Sequence, residues 1–277
     1  MSIKPKTYPS EIIDIELSGH KFKFVDWKHP SQGGPHFDVG MFEFIKSIVK
    51  PGDVVIDIGT HVGVKTLMYG LAAGKKGAVY GFEPNPYVFE PFKKSCELNR
   101  DIINVIPVCA AITEEPGNFI FHYSDEGYYN GGFASKTDYG VGGCGHVVPI
   151  EVEGIRFDDY FFGVEGKEKI KLFKVDTEGY DLSVLKSVKS LLEEVKPIIQ
   201  SELFLMLSDE EIQNHLKFLD DLGYVNYFFP DEKQSVYGKT NIYNLRDKNF
   251  TCNEWQHAKR VFKGKNLISV HKSQLEA

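Results

Sequence analysis

Short apolar runs alternate with amphipathic segments over residues 51–204, and no other feature limits the possible folds as strongly. Five runs have the length of a buried strand, and they span residues 54–58, 78–82, 105–112, 170–175 and 198–204. Between the runs, apolar residues recur at helical spacing, as at Val88, Phe92 and Cys96 and again over residues 182–192. Strands that alternate with helices predict an α/β fold, in which helices cover both faces of a mostly parallel sheet.

The segments on either side of this region have patterns of their own. Residues 13–17 and 22–25 alternate apolar and polar side chains, which predicts a β-hairpin laid over the core. We therefore expect a β-rich N-terminal extension over residues 1–40 and a main domain over residues 41–277. Ser208 is typical of a helix start and Gly223 of the end of that helix. Short strands are expected beyond it, at residues 224–229, 240–245 and 267–271.

Composition and charge argue against several classes of protein. The 277 residues are 42% hydrophobic and carry a formal net charge of −7, which disfavours intrinsic disorder and sequence-independent binding of nucleic acid. Cys96, Cys109, Cys144 and Cys252 have neither the spacing of zinc ligands nor that of a disulfide framework. There is no apolar run of 18 residues and no signal-peptide pattern at the N-terminus. We expect a cytoplasmic protein without membrane insertion.

A turn with two glycines follows the first predicted strand. Asp57 precedes the turn, Gly59 and Gly63 lie within it, and a helix is predicted over residues 65–73. Such a turn brings backbone N–H groups close to a ligand, because glycine has no Cβ. The spacing Asp-x-Gly-x-x-x-Gly differs from the dinucleotide fingerprint. An acid beside the turn suits a ligand with an ammonium group, such as S-adenosylmethionine.

A second carboxylate stands at the end of the next predicted strand. Glu83 follows the run 78–82 and precedes Pro84. An acid at this place can accept hydrogen bonds from both hydroxyls of a ribose, as it does in enzymes that bind NAD. Glu83 therefore predicts a nucleoside ligand but does not distinguish S-adenosylmethionine from a nicotinamide cofactor.

Three acids follow the fourth predicted strand within a span of six residues. They are Asp176, Glu178 and Asp181, and Glu202 lies near the end of the fifth run. Ligands of open α/β sheets bind at the carboxyl ends of strands, so Asp176 and Glu178 are expected to face the same crevice as the glycine turn. Acids in the first turn of a helix also complement its dipole without any further role. That interpretation suits Asp181 best.

Four motifs in this order resemble the FkbM family of S-adenosylmethionine-dependent methyltransferases. They are Asp-Ile-Gly-Thr-His-Val-Gly at 57–63, Gly-Phe-Glu-Pro-Asn-Pro at 81–86, Lys-Val-Asp-Thr-Glu-Gly-Tyr-Asp at 174–181 and Ile-Ile-Gln-Ser-Glu at 198–202. The resemblance covers about residues 51–204 and implies a Rossmann-like class I methyltransferase fold. The cofactor-binding residues that it implies are Asp57, Gly59, Thr60, His61, Gly63, Glu83, Pro84 and Ala111. The family more often has Ala-Asn at positions 60 and 61, so His61 either hydrogen-bonds the cofactor or fills the turn.

Asp176 and Glu178 are the candidate catalytic residues, because they are expected to follow the strand nearest the cofactor. Methylation of an oxygen requires the acceptor hydroxyl to lose a proton, and an ordinary carboxylate is a weak base for an alcohol. Burial that raises the carboxylate pKa is one route, with Asp176 as the base or as the residue that orients it. A divalent metal such as Mg²⁺ on Asp176, Glu178 and Glu202 is the other.

The acceptor is expected to be a hydroxyl of a sugar or glycan, a lipid or a secondary metabolite. Residues 124–146 contain seven glycines and are predicted to form a long loop between two strands. Tyr129, Asn130 and Ser135 in this loop, together with Glu202, are candidate substrate contacts. The loop tyrosines pack against the hairpin in the alternative interpretation. Two other functions stay open, a nicotinamide-dependent oxidoreductase and a domain that binds a cofactor without catalysis.

Overall fold

A computed structural model of the chain describes residues 5–30, 32–124, 133–134, 147–161, 166–228 and 265–275. Its strands are β1 (Ser10–Leu17), β2 (His20–Trp27), β3 (Val54–Ile58), β4 (Ala78–Phe82), β5 (Val105–Val108), β6 (Ala111–Ile112), β7 (Gly117–Ser124), β8 (Phe133–Ala134), β9 (Val147–Ile155), β10 (Ile170–Val175), β11 (Ile198–Leu203), β12 (Tyr224–Phe228) and β13 (Lys265–His271). Its helices are α1 (Val39–Ile48), α2 (Val64–Ala73), α3 (Pro86–Leu98), α4 (Phe157–Tyr160), α5 (Asp181–Ser187), α6 (Lys189–Val195) and α7 (Asp209–Asp221), with short helical turns at Lys167–Lys169 and Lys272–Leu275.

The central sheet has seven strands in the order β12-β13-β11-β10-β3-β4-β5. Strands β11, β10, β3, β4 and β5 pair in parallel, and β13 is antiparallel to both of its neighbours. The order reverses between β3 and β10, and the carboxyl ends of these two strands lie side by side there. This arrangement confirms the predicted Rossmann-like α/β fold, and it places the glycine turn next to Asp176.

Helices cover both faces of the sheet because successive side chains of a strand point to opposite sides. Val55 of β3 joins an apolar cluster with Leu67 of α2 and Phe92 of α3. Its neighbour Ile56 joins a second cluster with Leu185 of α5 on the other side. The two clusters form the core and fix the strand ends that carry the polar residues.

The predicted N-terminal hairpin is present and packs on α3. Strands β1 and β2 are antiparallel over their whole length. The Lys23 and Val25 N–H groups donate to Asn99 Oδ1 and Ser95 Oγ, both at 2.9 Å. The division of the chain at residue 40 stays a prediction.

A second sheet follows β5, and here the sequence-based assignment was wrong. The run 105–112 was expected to be one strand, but it splits between two sheets. Strand β5 lies at the edge of the central sheet, where Pro107 lacks an N–H donor without loss of pairing. Strand β6 pairs with β9 in a four-stranded sheet of order β6-β9-β7-β8. No polar residue interrupts the run, so hydrophobicity alone gave no sign of the change of sheet.

Most other predicted elements are found with small shifts. The helix that begins after Ser208 has the expected capping box, whereas the apolar stripe over 182–192 forms two helices that meet at Val188 rather than one. Between β7 and β9 only residues 133–134 are described, and they pair with β7. Ser124 ends β7, and the rest of the predicted loop 124–146 and the predicted strand 240–245 lie outside the described residues. Within the described ranges, no helix has the length and apolar character needed to cross a membrane.

Candidate active site

A cavity of about 600 Å³ opens at the carboxyl ends of β3, β4 and β10. Eight of the predicted site residues line it, namely Gly59, Thr60, His61, Glu83, Pro84, Ala111, Asp176 and Glu178. Asp57, Gly63 and Glu202 are not in its lining. Tyr129, Asn130 and Ser135 lie outside the described residues. The glycine turn and the acids after β10, separated by over 100 residues in the sequence, therefore share one cavity.

The two glycines of the turn are required by contacts within the protein. Gly59 and Gly63 have φ values of +80° and +87°. A Cβ on Gly59 would lie 1.9 Å from the carbonyl oxygen of Asp176, and one on Gly63 would lie 2.4 Å from the Phe92 ring. The two glycines let the turn pack on β10 and α3, and their part in binding a ligand stays a prediction.

The backbone N–H groups of the turn also have partners within the chain. Those of Gly59 and Thr60 donate to the Phe82 carbonyl at 2.9 and 3.1 Å. The His61 N–H donates to Glu83 Oε2 at 2.9 Å. These bonds fix the turn against the end of β4, so these three donors hold the turn in place instead of pointing freely at a ligand.

Asp57 lies behind the cavity wall rather than at its surface. Its side chain is fully buried, and its two oxygens accept hydrogen bonds from Lys174 Nζ at 2.9 Å and Thr66 Oγ1 at 2.6 Å. Asp57 and Lys174 are register partners on β3 and β10, so each is the nearest opposite charge to the other. The expected contact between Asp57 and the ammonium group of the cofactor stays a prediction.

Lys174 joins the two halves of the site. Its Nζ donates to Asp57 and to the Gly59 carbonyl at 3.1 Å, and it lies 3.6 Å from Asp176 Oδ2. Burial alone would lower the Lys174 pKa, but Asp57 and Asp176 outweigh burial and raise it. The sequence analysis gave Lys174 no role. The available signal was a lysine two residues before Asp176 in a strand whose other residues, apart from Lys171, are apolar.

Glu83 closes one side of the cavity. It is 6% exposed and accepts hydrogen bonds from the N–H groups of Asn85 and His61, both at 2.9 Å. Burial raises the Glu83 pKa to about 7, although these donors and Lys174 act in the opposite direction. Each oxygen keeps a second lone pair, so the carboxylate can still accept hydrogen bonds from a ligand.

Asp176, Glu178 and Glu202 form a compact acidic cluster on the other side. One oxygen of each lies within 4.8 Å of the others. Burial would raise the Asp176 pKa, but Lys174 and Lys65 lower it below the ordinary value. Burial and the charge of Asp176 raise the Glu178 pKa to about 7 and the Glu202 pKa to about 9. Asp176 is therefore the most acidic member of the cluster, and binding of Mg²⁺ by the three acids stays the alternative to a base with a raised pKa.

Asp181 has the structural role that the sequence favoured. It is buried, and its carboxylate accepts hydrogen bonds from the N–H and Oγ1 of Thr177 at 2.9 and 2.6 Å. It also accepts one from the Glu202 N–H at 2.7 Å. Asp181 thus ties the turn after β10 to β11 and brings Glu178 and Glu202 together.

The second sheet supplies a wall that the sequence analysis missed. Residues 118–121 of β7 and Val152 of β9 line the cavity. Ile120 is 48% exposed, which is high for an apolar side chain in a paired strand. The alternation of aromatic residues with other side chains in β7 is typical of a strand. The position of β7 beside the glycine turn, however, depends on the pairing of β6 with β9.

Known proteins resemble this chain in sequence. The family model of the methyltransferase FkbM domain matches residues 57–225, more than half of the chain. The hexuronic acid methyltransferase AglP from Haloferax volcanii is 27% identical over 149 residues, which are 53% of this chain and 54% of that protein. The chain therefore spans about half the length of this relative.

Two solved structures have a related fold. The FkbM methyltransferase from Methylobacillus flagellatus is 11% identical to this chain, with a TM-score of 0.47. The match covers 83% of this chain and 51% of the Methylobacillus flagellatus chain. Fibrillarin from Aeropyrum pernix, solved with S-adenosylmethionine, is 12% identical, with a TM-score of 0.48, and covers 96% of this chain and 84% of that one. These similarities give no information on the acceptor. By the family match, the chain belongs to the FkbM family of S-adenosylmethionine-dependent methyltransferases.

Proposed function

We propose that this methyltransferase methylates a hydroxyl oxygen of a sugar or glycan. The observation that carries the proposal is the single cavity in which Glu83 and the glycine turn face Asp176 and Glu178. A nucleoside and an acceptor need to meet in one enclosed space, and this volume lies within the range of small-molecule sites. The family match disfavours the alternative of a nicotinamide-dependent oxidoreductase.

The residues on the β4 side fit an adenosine. Glu83 offers acceptor oxygens for the ribose hydroxyls, and the apolar side chains of Pro84, Val88 and Ala111 line the same region and suit the face of a base. The cofactor supplies a methyl group activated by a positively charged sulfur. The carboxylates of Glu83 and Asp176 favour that charge by proximity. Asp57 acts indirectly in this proposal, because it holds Lys174.

Glu178 is the group that we assign to proton removal. A general base works best when its pKa lies near the operating pH, and the Glu178 pKa is about 7. Asp176 has a lowered pKa and is the weaker base. Its role is to raise the Glu178 pKa by its charge and to orient the acceptor hydroxyl. This proposal makes Glu178 the base and gives Asp176 the second of the two roles expected from the sequence, that of the residue that orients the reacting groups.

The β7 wall supports a sugar acceptor. Phe119 and Ile120 offer apolar surface for C–H groups, while Asn118 offers an amide for hydroxyls. The relative from Haloferax volcanii is named for action on a hexuronic acid, which is consistent with a carbohydrate. Exclusion of nucleic acid as acceptor rests on the net charge of −7 alone and stays a prediction.

Two measurements test the proposal. Calorimetric titration of the full chain with S-adenosylhomocysteine and with NAD is expected to give binding of the first only, and E83Q is expected to weaken that binding. Transfer of labelled methyl to a panel of neutral sugars, uronic acids, amines and short RNAs is expected to give an alkali-stable ether on a sugar. Methyl ester on a uronic acid, or labelled RNA, would contradict the hydroxyl assignment while leaving the donor site intact.

A further inference from the structure

The N-terminal segment reaches the cavity at one point. Among the described residues before β3, only Gln32 and Gly33 line it. They follow strand β2 of the hairpin, and the Gln32 N–H donates to the carbonyl of His29 at 2.9 Å. The end of the hairpin therefore forms part of the cavity wall in addition to covering α3.

Aromatic packing fixes the position of this stretch. His29 is 2% exposed and stacks on Trp27 with 4.4 Å between ring centroids. Tyr8 meets His29 edge-on at 4.7 Å. Since β2 is itself hydrogen-bonded to α3, Gln32 extends from a packed part of the molecule and approaches the cavity in a defined position.

Gln32 meets His61 at the wall. Its side-chain Nε2 lies 3.3 Å from Nε2 of the His61 ring. The His61 backbone is left-handed, with φ of 53°, and its N–H donates to Glu83 Oε2. His61 is thus held at its backbone by the carboxylate that we assign to the ribose and at its ring by Gln32.

We propose that Gln32 is a positioning residue for the cofactor and acts through His61. The contact holds the His61 ring in one orientation at the cavity wall, and the carboxamide adds no charge of its own beside the sulfonium of the cofactor. This inference rests on the proposed place of the cofactor in the cavity.

A double-mutant cycle on the full chain tests the inference. Binding of S-adenosylhomocysteine is measured by calorimetry for the wild type, Q32A, H61A and Q32A/H61A, with Q213A as control because Gln213 is an exposed glutamine on α7. Loss of one hydrogen bond is expected to weaken binding by about 3- to 10-fold in Q32A. In the H61A background, Q32A is expected to change binding less than about 2-fold, because its effect passes through His61.

Kinetics separate positioning from a structural role. Q32A is expected to raise KM for S-adenosylmethionine and to leave kcat at saturating donor and the melting temperature unchanged. The inference would be overturned if Q32A bound S-adenosylhomocysteine as tightly as the wild type. It would also be overturned if the Q32A substitution weakened binding equally in the wild-type and H61A backgrounds. Absence of binding by the wild type would instead refute the proposed function, and that titration is done before any variant.

Discussion

Replacement of Lys174 by methionine tests the charge arrangement of the candidate site. Lys174 Nζ lies 2.9 Å from Asp57 Oδ1 and 3.6 Å from Asp176 Oδ2, and its side chain is 3% exposed. Methionine keeps most of the length of the side chain and removes the charge. The K174M variant therefore retains packing around β10 but leaves Asp57 without its only ion-pair partner among the described residues.

The expected loss of stability is large. Removing one member of a buried ion pair costs about 3–5 kcal/mol, because the remaining charge stays desolvated. Folded proteins are stable by about 5–15 kcal/mol in total, so K174M is expected to remain folded but with much of that margin lost. For a chain of this size the loss corresponds to a fall in Tm of about 6–20 °C.

Equilibrium unfolding in urea, followed by tryptophan fluorescence, measures this loss. K217M is the control, because Lys217 forms an ion pair with Asp221 at the same kind of distance but on the surface of α7, and little change is expected there. The double variant D57N/K174M removes both buried charges. It is expected to recover about 2 kcal/mol or more of the K174M loss.

The stability loss in K174M is expected to depend on pH. A buried carboxylate without its cation has a raised pKa in the folded state, so the folded K174M protein binds protons more tightly than the unfolded chain. The difference in unfolding free energy between K174M and the wild type is therefore expected to be largest at pH 8 and to decrease toward pH 5. Two results would refute the buried ion pair as described. One is a loss of unfolding free energy in K174M no larger than that in K217M. The other is a loss in D57N/K174M equal to the sum of the losses in D57N and K174M.

The remaining predictions concern the reaction and the turn. E178Q is expected to lower kcat by about 10²–10⁴-fold with unchanged affinity for S-adenosylhomocysteine, because only proton removal is lost. Wild-type kcat/KM is expected to rise through about pH 7, where Glu178 ionises, and D176N is expected to move this midpoint to lower pH because Asp176 raises that pKa. Activity is expected to survive EDTA, and loss that Mg²⁺ restores would assign the acidic cluster to a metal. G59A is expected to cost about 1–3 kcal/mol more than G52A, since both glycines have positive φ but only Gly59 has a backbone oxygen within reach of a new Cβ.

The central sheet was well predicted from the sequence, because strands that are buried on both faces appear in the sequence as apolar runs. Strands β3, β4 and β10 have the expected bounds. The same signal failed at residues 105–112, because two strands of different sheets follow each other without a polar residue between them. Hydrophobicity reports that a segment is buried, and it does not report which neighbours bury it.

The site was predictable in its residues and less so in their roles. An acid at the end of a strand was correctly expected near the turn, but Asp57 pairs with Lys174 from a strand 117 residues away. That contact depends on which strands are adjacent, and local spacing carries no information on adjacency. The contact that requires glycine at position 59 was not predictable for the same reason, since the atom that excludes a Cβ there belongs to Asp176.

The contact between Asp57 and Lys174 also bears on the proposed base. Lys174 divides its attraction between Asp57 and Asp176, so Asp176 keeps part of its negative charge uncompensated, and that charge raises the Glu178 pKa. If Asp57 is replaced by asparagine, Lys174 has Asp176 as its remaining ion-pair partner among the described residues, and the field at Glu178 becomes less negative. D57N is therefore expected to lower the pH midpoint of kcat/KM, although Asp57 does not line the cavity. If D57N lowers the free energy of unfolding but leaves the pH midpoint of kcat/KM unchanged, Asp57 contributes to folding alone. The ion pair between Asp57 and Lys174 then has no part in setting the Glu178 pKa.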